Sequence, residues 1–273
     1  MDDKRPSISI VTVVYNDVNG IVKTIESIKR QSFKDFEYII VDGLSTDGTS
    51  EVLSRNCNFI DKYICEKDNG ITDAFNKGLK YASGKWIYFL NSGDYFLDAV
   101  ILEKIYFNFL INSPYDVISG RVKIVDSCGV YLGYNHPNRK VEIKELYQSN
   151  IIAHQASFVK SELFNRIGNF KNYKIHMDYD FWIRALKNKT SFCLIDLEVA
   201  NFTTNGVSSQ RTNFIKAKRE MLTILMSYNV ISKYEAKIIL VADYVKYSLK
   251  TFIRLFVGRK RSNLISINRL KKG

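Results

Sequence analysis

Cysteine and histidine are scarce in this 273-residue chain, with four of the first and three of the second. Cys57, Cys65, Cys128 and Cys193 form no CxxC pair and His136, His154 and His176 stand singly. That excludes a disulfide framework and a zinc ribbon, and it points to a reducing compartment. No Ser-His-Asp or Cys-His arrangement can be read from the order of residues. Repeats and low-complexity stretches are absent as well. The first apolar run, within MDDKRPSISIVTVVYN, follows mixed charges and is broken by Ser9 and Thr12. A secretory signal is therefore not expected, and the cytoplasm is.

What is present is an ordinary globular composition, 46% hydrophobic, enough for a packed core. The net charge of +12 is unevenly distributed. Residues 214–273 hold 14 Lys+Arg against 3 Asp+Glu, whereas residues 1–213 hold 26 against 25. The basic character belongs to the tail, and the body is near neutral.

The stretch YIIVDGLSTDGT, residues 38–49, carries the most information. Ile39, Ile40 and Val41 form a β-branched run suited to a strand covered on both faces. Such a strand delivers Asp42 to the edge where open α/β sheets bind ligands. Gly43 and Gly48 permit a tight turn, and Ser45, Thr46, Asp47 and Thr49 supply capping oxygens for a following helix. A nucleotide is the first ligand to suspect.

The flanking pattern alternates. Residues 7–14 read as a buried strand and 15–19 as the turn leaving it; Ile21, Val22, Ile25 and Ile28 then recur at helical spacing. A helix follows the STDGT turn, a short strand runs near 63–65, and 71–82 is helical with Ile71, Phe75, Leu79 and Ala82 on one face. Residues 86–90 form another apolar strand, so a largely parallel sheet is expected. Asp42 and Asp94 each follow one of these strands and should reach the same sheet edge. The alternative for each is simply a turn aspartate. Beyond Asp94 the expectations are a helix at 99–110, strands at 116–125 and 131–134 joined around Ser127, Cys128 and Gly129, a helix near 143–149, a strand near 155–159, and helices at 161–167 and 179–188. Phe181, Trp182, Ala185 and Leu186 should face inward. A boundary is expected near 206–212, where GVSSQRT interrupts the apolar pattern.

Five motifs stand in order: PSISIVTVVYND at 6–17, VDGLSTDGT at 41–49, EKDNGITDAFNKGL at 66–79, FLNSGD at 89–94 and MDYDFWIRAL at 177–186. Together they resemble the family 2 inverting glycosyltransferases, particularly the branch acting in bacterial surface polysaccharide assembly, over about residues 6–210. The resemblance implies an α/β fold of GT-A type, a Rossmann-like, mostly parallel central sheet flanked by helices. Residues 1–210 would be the catalytic domain and 211–273 a C-terminal helical extension. It implies a nucleotide-diphosphate sugar donor held by Tyr15, Asn16, Asp42, Asp68 and Asn76, with Asp73 and Lys77 near the same cleft, Asp73 alternatively serving only as a helix cap. Asp178 would be the base that accepts the proton of the acceptor hydroxyl. His154 and Gln155 would lie on the acceptor side, a structural histidine being the alternative. Mn²⁺ or Mg²⁺ would be held by Asp94 with Asn91. Here the chain departs from the family's Asp-x-Asp, because Asn91-Ser92-Gly93-Asp94 retains one carboxylate; hard cations accept one carboxylate with phosphate oxygens and water. Met177 stands where a Glu is usual. Asp180, four residues before Arg184, reads as an intrahelical ion pair.

Residues 237–257 are apolar apart from a stripe of Asp243, Lys246, Lys250 and Arg254, too interrupted to span a bilayer. With Arg259, Lys260 and Arg261 they suggest an amphipathic helix on an anionic membrane surface, or else one packed on the body with its basic face in water. No recognised nucleic-acid module accompanies the charge, so nucleic acid is not expected. The resemblance and the basic tail together imply a peripheral glycosyltransferase at the inner face of the plasma membrane, working on a lipid-linked or saccharide acceptor. A sugar-phosphate nucleotidyltransferase would need a Gly-rich, Arg-containing loop after the first strand, which is absent. A degenerate nucleotide-sugar binding protein is the remaining alternative.

Overall fold

A computed structural model describes residues 5–126, 128–135, 142–204 and 214–243, with 245 and 248. The described residues form a nine-stranded sheet. Its first four strands, β1 (Ile8–Val14), β2 (Phe36–Asp42), β3 (Lys62–Cys65) and β4 (Trp86–Phe89), stand in the order β3-β2-β1-β4. All are parallel, and register pairs Val14 with Asp42 and Val11 with Phe89. The crossovers are α1 (Val18–Lys29), α2 (Thr49–Arg55) and α3 (Ile71–Tyr81). Alternation along β1 explains the layering: Ile8, Ile10 and Val14 pack with Ile21, Ile25 and Ile28 of α1 on one face, while Val11 and Val13 pack with Ala74 and Phe75 of α3 on the other.

The second half is mixed. β6 (Val117–Val125) and β9 (Phe192–Thr203) are parallel to each other, and β8 (Ser157–Lys160) runs antiparallel between β4 and β6. β5 (Tyr95–Phe96) pairs with β9, and β7 (Tyr131–Tyr134) with β6. α4 (Ile101–Ile105) gives way to a π-helical turn over Tyr106–Leu110, so the helix expected at 99–110 is split. α5 (Ser161–Ile167), α6 (Met177–Lys187) and α7 (Phe214–Ser227) follow. Of the face expected on α3, Phe75 is buried and Leu79 and Ala82 pack against the same core, whereas Ile71 lies exposed at the helix start and Thr72, Ala74 and Gly78 turn inward.

Two other expectations change. Residues 143–147 and 154–156 are 3₁₀ segments, so the helix expected near 143–149 is shorter and tighter, and Gln155 sits with His154 on a turn ahead of β8 rather than opening the strand. β9 is a 12-residue strand that the apolar pattern does not announce. Its alternation is interrupted by Asp196 and Glu198, which pair with Arg121 of β6 at 2.6 and 3.9 Å. Beside them Gly120 lets the Leu197 carbonyl come so close that a Cβ would lie 2.6 Å from it.

α7 packs on the body through Met221, Ile224 and Leu225, which share a core with Trp182 and Phe181 of α6. A further helix covers 233–243, where Asp243 faces Lys218 of α7 at 3.0 Å. No helix among the described residues is long and apolar enough to cross a membrane. The rest of the expected tail helix, the boundary at 206–212, Ser127 and His136 lie outside the described residues.

Candidate active site

The turn after β2 is built around Asp42, which is fully buried. Its Oδ1 accepts the Ser45 N–H at 2.9 Å, and its Oδ2 accepts the hydroxyls of Ser50 at 3.0 Å and Tyr63 at 3.1 Å. The carboxylate thereby shapes the STDGT turn. Asn16, at φ 48° in the left-handed region that Asn tolerates, closes that turn from the opposite strand. Its side-chain oxygen accepts the Thr46 N–H at 2.7 Å, and its own N–H donates to Ser45 Oγ at 2.8 Å. Tyr15 is 64% exposed beside it, a flat ring offered to solvent. Gly43 is the pivot, because a Cβ there would lie 2.5 Å from Asp68 Oδ2 and 3.3 Å from Tyr15 Cδ2. Tyr15, Asp42 and Asp68 therefore converge on one corner.

Asn76 is placed elsewhere. Its amide clasps the backbone of Phe170, donating to the carbonyl at 2.9 Å and accepting the N–H at 3.1 Å, so it ties α3 to the segment before α6. Asp73 accepts the Asn69 N–H at 2.9 Å and pairs with Lys77 at 3.3 Å, which makes it a clamp on the turn entering α3.

A cleft of about 1240 Å³ opens beside the Tyr15 corner. Its walls bring together Asp17, Asn91, Asp94, Asn150, His154 and Asp178, whereas Asp42, Asp68 and Asn76 do not line it. The route to this arrangement is topological. Leu90 N–H and Ser92 N–H continue the ladder onto Val11 and Val13 of β1, at 3.0 and 3.2 Å, and so carry the loop after β4 to the sheet edge. Gly93, at φ 88°, then turns the chain, and Thr24 of α1 holds the Asp94 carbonyl at 2.8 Å.

Asp94 is almost fully buried, and burial pushes its carboxyl up to about 7. The nearby His154 ring, the Thr203 N–H at 3.1 Å and the Gln155 side chain draw it back down, while the neighbouring Asp17 adds to the rise. Gln155, expected on the acceptor side, lines the cleft and also supports Asp94. Asn91 donates from Nδ2 toward His154 Nε2 at 3.1 Å, and its Oδ1 is buried without a hydrogen-bond partner.

Asp178 lies in the first turn of α6 and is buried. Burial would raise its carboxyl, but the hydrogen bond to His154, the nearby His176 ring and the Tyr179 N–H hold it below the ordinary carboxylate range. Oδ1 accepts that N–H at 2.7 Å; Oδ2 faces His154 Nδ1 at 3.3 Å and Asn150 Nδ2 at 3.4 Å. Asp180 points away from the cleft. It pairs with Arg184 at 2.8 Å, as the i, i+4 spacing indicates, and accepts the Tyr228 hydroxyl at 2.8 Å.

Two cleft residues escape the sequence reading. Asp17 caps α1 through the Gly20 N–H at 3.1 Å and accepts the Ser92 hydroxyl at 2.7 Å, so its N-cap position before a helix was the available signal. Asn150 offers none, since it lies on an irregular loop. A divalent cation fits the donors near β4 in a limited way. Asp94 and the orphaned Asn91 Oδ1 are hard oxygen ligands, but among the described residues no group of three or more His, Cys, Asp or Glu converges. Such an ion would draw its remaining ligands from phosphate and water.

Comparison with known proteins gives the family and the fold. The family model described as glycosyl transferase family 2 matches residues 9–184. The chain is 31% identical over 187 residues to the PGL/p-HBAD biosynthesis glycosyltransferase of Mycobacterium bovis, covering 67% of this chain and 71% of that protein. It is 28% identical over 218 residues to an uncharacterized glycosyltransferase of Mycobacterium tuberculosis, covering 76% and 78%. Among solved structures, S. aureus TarS 1-349 in complex with UDP-GlcNAc superposes with a TM-score of 0.64 at 19% identity, over 96% of this chain and 80% of that one. The mannosyltransferase PcManGT from Pyrobaculum calidifontis, in complex with GDP-Man and Mn²⁺, gives a TM-score of 0.65 at 15% identity, over 98% and 88%. The shared architecture is the GT-A fold.

Proposed function

The chain belongs to glycosyl transferase family 2, and from that premise we propose that it moves a sugar from a nucleotide-diphosphate donor to an acceptor hydroxyl with inversion. The observation that carries this reading is that a buried carboxylate held in its charged form, Asp178, shares a cleft with Asp94 at the sheet edge. Inversion by direct displacement requires a base on the face opposite the departing diphosphate, and Asp178 is assigned that role. Its low basicity suits a proton that leaves late, once the new bond is forming.

Tyr15, with Asp42 and Asp68 behind and beside it, forms the nucleoside corner, the ring supplying a stacking face. Asn16 supports that corner through the turn. Asp94 and Asn91 Oδ1 would hold Mn²⁺ or Mg²⁺, which when bound would neutralise charge on the leaving diphosphate as a Lewis acid. Neighbours bound to UDP-GlcNAc and to GDP-Man with Mn²⁺ support a nucleotide sugar and a divalent ion without selecting the base or sugar.

The acceptor is assigned to a lipid-linked glycan in bacterial envelope polysaccharide assembly, at the inner face of the membrane. A relative named for PGL biosynthesis and the basic tail support that assignment. The retention of one carboxylate in Asn91-Ser-Gly-Asp94 favours the alternative of a nucleotide-sugar binding protein without transfer. Thermal unfolding against a panel of UDP-, GDP- and dTDP-sugars, with and without Mn²⁺, tests the donor assignment. A raised midpoint with one donor class is expected, because a ligand bound only by the folded state adds stability. No shift with any of them would contradict the proposal.

A further inference from the structure

An unbroken hydrogen-bonded chain runs across the cleft from Asn91 through His154 to Asp178. Asn91 Nδ2 meets His154 Nε2 at 3.1 Å, and His154 Nδ1 meets Asp178 Oδ2 at 3.3 Å. The imidazole ring is mostly buried and rests edge-on against Phe75, centroids 5.4 Å apart, so it has little freedom to turn. A neutral imidazole has one N–H and one lone pair. Facing a carboxylate on one side and an amide on the other, it satisfies both neighbours in one way only. The proton sits on Nδ1 and donates to Asp178, and the lone pair on Nε2 accepts from the Asn91 amide. The other tautomer would set the Nδ1 lone pair against the carboxylate. With its NH₂ drawn to His154, the Asn91 amide must direct its carbonyl the other way, and that oxygen is the buried acceptor without a partner.

We propose that His154 is a positioning residue with two outputs, orienting the Asp178 carboxylate through Nδ1–H and, through Nε2, fixing the direction of the Asn91 carbonyl, which with Asp94 would hold the cation. Holding both ends with one rigid ring would place the base and the leaving-group side in register before substrate arrives. The inference rests on the assignment of Asp178 as base and deepens it. It adds no chemical step, since His154 neither gives nor takes a proton in the reaction.

Two near-isosteric variants separate the outputs. In His154→Gln the side-chain oxygen stands where Nε2 was and can still accept from Asn91, but position 154 no longer donates to Asp178, whose remaining donors are the Tyr179 N–H and the Asn150 amide. In His154→Asn the side-chain N–H stands where Nδ1 was and can still donate to Asp178, but the contact with Asn91 is lost. Partners of this kind are worth ~10–100-fold in metal affinity or activity. The Gln variant is expected to lose chiefly kcat, and the Asn variant chiefly affinity for Mn²⁺ with UDP or with GDP, measured by calorimetry. ¹⁵N-histidine NMR of the full chain at pH 8, with the signal identified by its loss in either variant, is expected to show the Nδ1–H tautomer at His154.

A ring without the Nδ1–H tautomer, its Nε2 donating instead of accepting, would overturn the proposal. So would variants that lose both parameters in equal measure, which is what a residue serving only the fold would give. Asp178→Asn distinguishes the two levels. If that variant turns over like the native chain, the base assignment fails and takes the kcat output with it. If it is inactive and the two His154 variants fall alike, only the positioning role fails.

Discussion

Asp94 Oδ1 accepts the backbone N–H of Thr203 at 3.1 Å, a contact between residues 109 apart that fastens the loop after β4 to the end of β9. The same residue is the buried carboxyl whose proton is retained up to about pH 7. Below that pH a cation must displace the proton, and above it the site is already charged. Apparent Mn²⁺ affinity is therefore expected to rise by up to about tenfold per unit as pH increases toward 7, and to level off beyond it. Calorimetry in two buffers of different ionisation enthalpy should register proton release at pH 6 and little at pH 8.5. Affinity independent of pH, or unchanged in Asp94→Asn, would count against Asp94 as a ligand.

Gly43 sets how closely Tyr15 and Asp68 approach. A methyl group there meets the movable Asp68 carboxylate at 2.5 Å, so the side chain shifts while the backbone stays. Gly43→Ala should weaken nucleotide binding by ~10-fold, within the 1–3 kcal/mol scale of stacking and polar contacts, and leave the unfolding midpoint nearly unchanged. Equal affinity for UDP and GDP in variant and native chain would remove this corner from the binding site.

The Asp180–Arg184 pair supports the site without entering it. Arg184 donates to the carbonyls of Ile167 at 2.5 Å, Gly168 at 3.1 Å and Asn169 at 2.7 Å, pinning the loop after α5 against α6. Removing either partner strands a buried charge, at about 3–5 kcal/mol. Urea denaturation of Asp180→Ala should show a loss of that size; a loss under about 1 kcal/mol would mean the pair is dispensable.

Residues 244–273 hold nine Lys+Arg and no acidic residue. If each basic group near an anionic surface contributes ~1 kcal/mol, this segment governs membrane association. A chain ending at Asp243 retains α7 and the Lys218–Asp243 pair, and should stay in the supernatant when sedimented with phosphatidylserine vesicles that pellet the full chain. Equal pelleting would contradict the membrane assignment.

How far the sequence was legible follows from the range of each interaction. Strands β1, β2 and β4 announce themselves because buried β-branched runs have few other uses, and their ends bring Asp42 and Asp94 to one edge. Asp180–Arg184 was legible because i, i+4 geometry is local. The 12-residue strand β9 was not, because Asp196 and Glu198 interrupt its apolar pattern to meet Arg121 on another strand. The contacts of Asn76 and Gln155 were not legible for the same reason. Their partners, Phe170 and Asp94, lie 94 and 61 residues away, and an amide side chain carries no local sign of where it will turn.

The central claim is that Asp178 accepts the acceptor's proton in a cleft that binds the donor independently of it. The most direct measurement is Asp178→Asn assayed for both functions with the donor found by thermal shift. Transfer should fall by at least ~10²-fold, the usual range for loss of a positioned base, while donor affinity stays within about threefold. Transfer at the native rate, or loss of donor binding in parallel with transfer, would contradict the account.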